Sequence, residues 1–170
     1  EVAENTGNSP SGGSCVCIDC TNGEVLGMAS APTFDPSVFV GGVSSDAWSQ
    51  LNDDDGGHPL LNRVIGGQYM SASTIKPFTS LAGMEYGVYT AAMSSTCTGW
   101  WTGLGEAWGK KCWLESGHGV RNLETGIRDS CDVVFYDLGK NFFYDEDNPE
   151  GLQEMYRRWG LGSKTGIDLP

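Results

Sequence analysis

Residues 71–78 read SASTIKPF. Ser73 and Lys76 stand three apart, one helical turn, and Pro77 follows the lysine at once. In the bland reading this is a helix N-terminus. A serine caps well because its oxygen accepts an orphan backbone N–H, and proline is tolerated in a first turn. The same spacing also suits chemistry. Residues i and i+3 share a helix face, so a lysine at 76 can reach a serine at 73. A serine hydroxyl is a poor nucleophile without a neighbouring base, and a buried lysine can supply one because desolvation disfavours its charged form. The positive end of the helix dipole adds a field that favours an oxyanion nearby. A second stretch, DSCD at 129–132, interrupts an apolar helical pattern with Ser130 and Asp132. Read alone it is a helix junction with a capping serine. Read with Ser73 it offers a second hydroxyl and a carboxylate to relay a proton and bind a substrate amide.

The rest of the chain divides by pattern. Residues 1–13, EVAENTGNSPSGG, are polar and read as a flexible lead-in. SCVCIDC and VLGMAS flank Asn22-Gly23, the strongest short hairpin signal. Both sides of the first run are apolar, which predicts a strand covered on two faces with its cysteines as small buried hydrophobes. From Ala31 to Tyr69 prolines, paired glycines and the acidic run NDDDGGH predict loops. That run lacks the spacing and closing glutamate of an EF-hand and reads as a solvated loop. A helix is expected from Ser73, with Ile75, Phe78, Leu81, Ala82 and Met84 as its stripe and Gly87 as its stop. Leu123, Ile127, Cys131, Val134 and Leu138 mark a second helical run with the DSCD break inside it. Asn148, Pro149 and Gly160 bracket a third. A strand hairpin followed by loops and helices predicts an α+β protein.

The 170 residues suffice for one domain with a sizeable core. A net charge of −12 excludes nucleic acid as a partner, since phosphate binding needs clustered Lys and Arg. No run approaches the roughly 18–20 apolar residues of a membrane span, and no signal peptide opens the sequence. Any anchor or export signal is therefore expected outside this segment. Six cysteines, at 15, 17, 20, 97, 112 and 131, leave the redox compartment open.

S-x-x-K with a second serine motif and K-T-G is the known signature of penicillin-binding proteins and class A β-lactamases. Much more than the signature matches. NGEVLGMASAPTFDPSVF at 22–39, LNDDDGGHPLLNRVIGGQYMSASTIKPFTSLAGMEYG at 51–87, CW at 112–113 with ESGHGVRNLETGIRDSCDVVFYDLG at 115–139, and WGLGSKTGIDLP at 159–170 resemble successive blocks of class B penicillin-binding protein transpeptidase domains. The penicillin-binding protein 2 type is the most similar. The resemblance implies the serine β-lactamase/transpeptidase-like fold, present in part as a helical subdomain plus an N-terminal strand hairpin, with residues 14–170 the N-terminal part of the domain. It implies a peptidoglycan D,D-transpeptidase with Ser73 as acylated nucleophile, Lys76 as activator, Ser130 as the second catalytic hydroxyl and Asp132 as a substrate-binding group. Its partners would be the D-Ala-D-Ala stem peptide, β-lactams and the elongation or division machinery. Its place would be the extracytoplasmic face of the bacterial membrane, anchored by a segment outside this chain. No cofactor and no metal are implied. A β-lactam sensor without turnover and a class D-type β-lactamase share the fold and are the alternatives.

The sequence departs from the family pattern at two points: Ser71-Ala72 replaces the usual Pro-Gly, a mild change to the turn, and Asp132 stands where many relatives have Asn. The family's K-T-G lies on a strand. Here Lys164-Thr165-Gly166 follows a helix exit and precedes Pro170, so its match is taken as accidental and the chain as a fragment inactive alone. Because the family works where disulfides persist, a Cys97–Cys112 bridge is expected, with a metal site on these two and His118 as the lesser alternative. Ser73 and Lys76 are expected in direct hydrogen-bond reach, about 2.6–3.2 Å.

Overall fold

The computed structural model describes residues 12–53, 56–167 and 169. The chain divides into two compact units, residues 1–70 with 169, and residues 71–168 with 170. The lead-in up to residue 11 and two residues of the acidic run, Asp54 and Asp55, lie outside the described residues.

In the first unit β1 (Gly13–Ile18) pairs antiparallel with β2 (Val25–Ala31). The hairpin forms where Asn22-Gly23 placed it. Gly23 takes φ 82°, Asp19 Oδ1 accepts from the Thr21 N–H at 2.8 Å, and Asn22 Oδ1 accepts from the Glu24 N–H at 2.8 Å. The expected coverage of both faces is not found. Val16, Ile18, Val25 and Leu26 are all exposed, and so are Cys15, Cys17 and Cys20. In this unit the sheet has two strands, and a lone hairpin has no second layer to bury either face. The region read as loops holds a 3₁₀ turn at Pro36–Phe39, capped by Asp35, and a helix, α1 (Ser45–Leu51). Ser44 caps α1 through the Ala47 N–H at 3.2 Å. The helix escaped the sequence reading because its seven residues bury only Leu51 and show no stripe.

The second unit carries the helices. A 3₁₀ turn, Ala72–Ile75, runs into α2 (Lys76–Glu85). Four short strands follow: β3 (Ser94–Cys97) pairs with β6 (Gly119–Asn122), and β4 (Trp100–Trp101) with β5 (Lys110–Lys111). They were not foreseen, since two- and four-residue strands are too short to show a period. Then come α3 (Leu123–Arg128), α4 (Asp132–Phe143) and α5 (Gly151–Arg158). The third helix starts two residues later than Pro149 suggested, within the usual spread of helix ends. Among the described residues no helix is long and apolar enough to cross a membrane.

The buried face of α2 differs from the apolar stripe. Leu81 and Met84 are exposed, whereas Lys76, Thr79, Ser80, Ala82 and Gly83 are buried. Small residues on that face let α4 come close: a Cβ on Gly83 would meet Leu138 Cδ1 at 2.9 Å. Leu138, Val133 and Val134 of α4 are wholly buried there, each contributing about 1.5–3 kcal/mol of apolar burial. The same logic brings α3 onto α4, where a Cβ on Gly126 would meet Val134 at 3.0 Å.

Gly83→Val is therefore expected to destabilise a protein carrying this sequence by about 1–3 kcal/mol through overpacking. Gly139→Ala, in α4 with open space around its Cβ, should stabilise it by about 0.5–1 kcal/mol. Thermal unfolding of both variants beside the wild type checks the pair.

Candidate active site

Ser73 sits in the 3₁₀ turn and Lys76 opens α2. The capping reading of Ser73 fails, because the cap positions are Ser71 for the turn and Ile75 for the helix. Ser73 Oγ instead accepts a hydrogen bond from Ser130 Oγ at 2.9 Å. Lys76 Nζ donates to Ser130 Oγ at 3.0 Å, to the Ser130 carbonyl at 2.9 Å and to Asp132 Oδ1 at 2.7 Å. An ammonium has three donors, and these acceptors use them all. The expected direct Ser73–Lys76 bond is thus replaced by a connection through Ser130. The Lys76 side chain is 9% exposed, with Nζ 5.2 Å from the Phe135 ring centre. All four residues named from the sequence (Ser73, Lys76, Ser130 and Asp132) meet in one constellation.

The turn that presents Ser130 has a definite geometry. The Cys131 N–H bonds the Gly126 carbonyl at 2.9 Å and the Ser130 N–H bonds the Ile127 carbonyl at 3.1 Å. Ser130 is at φ 51°. This is the Schellman ending of α3, with serine in the left-handed position that glycine normally fills. Ala72, the residue before Ser73, is also left-handed, at φ 48°. The departure from Pro-Gly therefore leaves a left-handed turn in place and moves its strain onto an alanine. The Asp129 carboxylate pins the turn from below. Arg128 and Arg121 each bond it at 2.7 Å, and chiefly the Arg128 bond holds it well below the usual carboxylate range, against its partial desolvation.

Behind the turn lies a second cluster. Cys97 on β3, Cys112, His118 and Cys131 are all buried, and their ligand atoms lie within 4.8 Å of one another. The expected Cys97–Cys112 disulfide is not formed, and both are free thiols. The His118 Nδ1 stands between them, 3.6 Å from Cys97 Sγ and 3.5 Å from Cys112 Sγ. Those two separations match S···N edges of a zinc tetrahedron, for which Zn–S of about 2.3 Å and Zn–N of about 2.0–2.1 Å give about 3.5 Å. His118 Nε2 is buried with no hydrogen-bond partner among the described residues, so the ring is held on its Nδ1 side alone, by the two sulfurs. Burial raises the Cys97 thiol, but bonds to His118 and Gly99 outweigh it and bring it down to about 7. Burial pushes Cys131 up to about 12. A divalent cation would remove the remaining protons, as it does for any coordinating thiol.

With this geometry in hand, comparison with known proteins is direct. The family description "Penicillin binding protein transpeptidase domain" matches residues 13–170. The chain belongs to the penicillin-binding protein transpeptidase family. It is 36% identical over 158 residues to the peptidoglycan D,D-transpeptidase MrdA of Acinetobacter baumannii, covering 93% of this chain and 23% of that protein. Among solved structures it is similar to penicillin-binding protein 2 of Pseudomonas aeruginosa in complex with WCK 5153, at a TM-score of 0.77 and 35% identity over 93% of this chain and 33% of that one. It is similar also to the Helicobacter pylori protein in its complex with MreC, at 0.80 and 36% over 94% and 28%. The chain thus spans less than a quarter of the curated relative's length. The partial transpeptidase fold read from the sequence is the one present.

As a member of this family the chain keeps its two serine motifs together in one unit. Lys164-Thr165-Gly166 lies in an exposed segment after α5 and on no strand. Cys131 is buried, as its place in the apolar stripe implies, and it is also the fourth member of the thiol–imidazole cluster, which the sequence reading had limited to Cys97, Cys112 and His118. The available signal was a cysteine inside DSCD with Cys97, Cys112 and His118 already in view.

If the four residues hold a cation, protein purified without chelator carries close to one equivalent of zinc, and Cys131→Ser loses it. Cobalt in its place should give sulfur-to-metal charge-transfer absorption in the near ultraviolet. Metal analysis and absorption spectra check this, and metal removal should lower the unfolding temperature.

Proposed function

We propose that this chain forms the nucleophile-bearing part of a serine D,D-transpeptidase that cross-links peptidoglycan stem peptides. The observation that carries the reading is the unbroken path Ser73–Ser130–Lys76–Asp132, with links of 2.9, 3.0 and 2.7 Å. Ser73 Oγ attacks the carbonyl of the penultimate D-Ala. Its proton passes to Ser130 Oγ while the Ser130 proton passes to Lys76 Nζ, which accepts it once one of its three ammonium protons has left to solvent and both hydroxyls have rotated. The C–N bond to the terminal D-Ala breaks, and the leaving amine takes a proton back through Ser130. The acyl group now on Ser73 is transferred to the amine of a second stem peptide. A β-lactam enters the same step, but its amine stays tethered to the acyl group. Asp132 holds Lys76 on the Ser130 side throughout, and its carboxylate is the group placed to meet the substrate amide.

The thiol–imidazole cluster fits a structural role in this scheme. Cys131 sits between Ser130 and Asp132, so a cation there would tie the catalytic turn to β3 without touching the reacting atoms. On this reading the parent works at the outer face of the cell membrane, among the cell-wall synthesis machinery. The Helicobacter pylori relative solved with MreC supports that setting. The 170 residues alone are taken as inactive, because their β1–β2 sheet stands exposed on both faces.

A full-length protein containing this sequence should be labelled covalently by a fluorescent penicillin, and Ser73→Ala should abolish the label. The isolated 170 residues should label weakly. A label that persists without the Ser73 hydroxyl overturns the assignment, whereas rapid loss of label by hydrolysis favours a β-lactamase.

A further inference from the structure

The contact network around the catalytic turn includes a residue outside both serine motifs. We propose that Trp113 is a positioning residue that holds Ser130 and Asp132 in register with Lys76. The proposal rests on the reading of Ser73, Ser130 and Lys76 as an acylation centre. The Trp113 backbone N–H donates to Asp132 Oδ2 at 3.1 Å. Its indole Nε1–H is shared between the carbonyls of Asp129 and Ser130, at 3.1 Å each. Lys76 takes the opposite oxygens: Asp132 Oδ1 and, from its own side, the same Ser130 carbonyl. Both lone pairs of that carbonyl and both oxygens of that carboxylate are therefore occupied, one by lysine and one by tryptophan.

Burial does not explain why a tryptophan stands here. The residue remains 62% exposed, and its ring meets the His118 ring edge-on with centres 5.2 Å apart. What it supplies is an N–H at a distance that no aliphatic or phenyl side chain can match. Ser130 needs such support because it occupies a left-handed conformation that serine does not favour. A strained residue stays put only when its surroundings over-determine it. If its carbonyl is released on one side, the Ser130 hydroxyl samples positions away from Ser73, and small misplacements cost rate steeply. Trp113 also follows Cys112 directly, so one residue links the cysteine cluster to the catalytic turn.

The test uses the full-length protein with Trp113→Phe, and with Trp113 replaced by β-(3-benzothienyl)alanine, which keeps the bicyclic shape and lacks only the N–H. The limiting acylation rate and the non-covalent dissociation constant for a fluorescent penicillin are measured, together with metal content and unfolding temperature. The expected result is a fall of about five- to twentyfold in the limiting rate for both variants, with dissociation constant, metal content and unfolding temperature unchanged. Acylation of the benzothienyl variant at the wild-type rate overturns the proposal. So does a loss confined to the dissociation constant, or one that tracks metal loss or unfolding. A wild-type protein that is not acylated at all, beside a reactive penicillin-binding control, overturns the acylation reading itself.

Discussion

A serine held where glycine belongs is the constraint on which the Ser73–Ser130–Lys76–Asp132 constellation depends. The Schellman ending of α3 puts its left-handed position at residue 130, and a side chain there costs about 1–2 kcal/mol relative to an unstrained residue. The cost has a visible return. A glycine would end the helix as well but would bring no hydroxyl, and this hydroxyl is what lies between Ser73 and Lys76. The surrounding donors hold the strained residue: Lys76 and Trp113 on its carbonyl, and Arg121 and Arg128 on the carboxylate just before it. Local strain, an ion pair and a hydrogen-bond relay are thus one arrangement seen at three scales.

Helix packing places that arrangement. Lys76 could not be buried on a face of bulky side chains. It is buried because α2 turns its small residues, Thr79, Ser80, Ala82 and Gly83, toward its neighbours and leaves Leu81 and Met84 outside. That lets α4 lie close enough for Asp132, at its first turn, to meet the lysine at 2.7 Å. The pair is largely desolvated, so removing Asp132 would leave a buried ammonium short of one acceptor, the costly way to break such a pair. The buried sulfurs of Cys97 and Cys131 continue the same packing on the far side of the turn.

Much of this was legible in the sequence, for reasons that differ by element. Asn22-Gly23 gave the hairpin because turn chemistry is local. The break at DSCD was visible because Asp and Ser interrupt an apolar period, and the helices end and restart there. The four site residues were nameable because S-x-x-K fixes one pair by helical spacing and the family blocks supply the other. What could not be read was long-range. Nothing local says that Ser130 would insert between Ser73 and Lys76, since that depends on how α3, α4 and α2 pack. Cys131 looked like one more apolar step because a stripe records burial and not the chemistry of what is buried. The expected disulfide failed because a compartment argument says what chemistry is allowed and not where His118, the alternative partner of the two sulfurs, would stand.

The central claim is that Ser73 communicates with Lys76 through the Ser130 hydroxyl. The most direct measurement is the acylation rate of the full-length protein with Ser130→Ala, which keeps a Cβ at the strained position and removes only the relay. A fall on the order of a hundredfold or more is expected, with the fold and the Lys76–Asp132 pair intact. An unchanged rate would show that Lys76 serves Ser73 without Ser130 and would contradict the account.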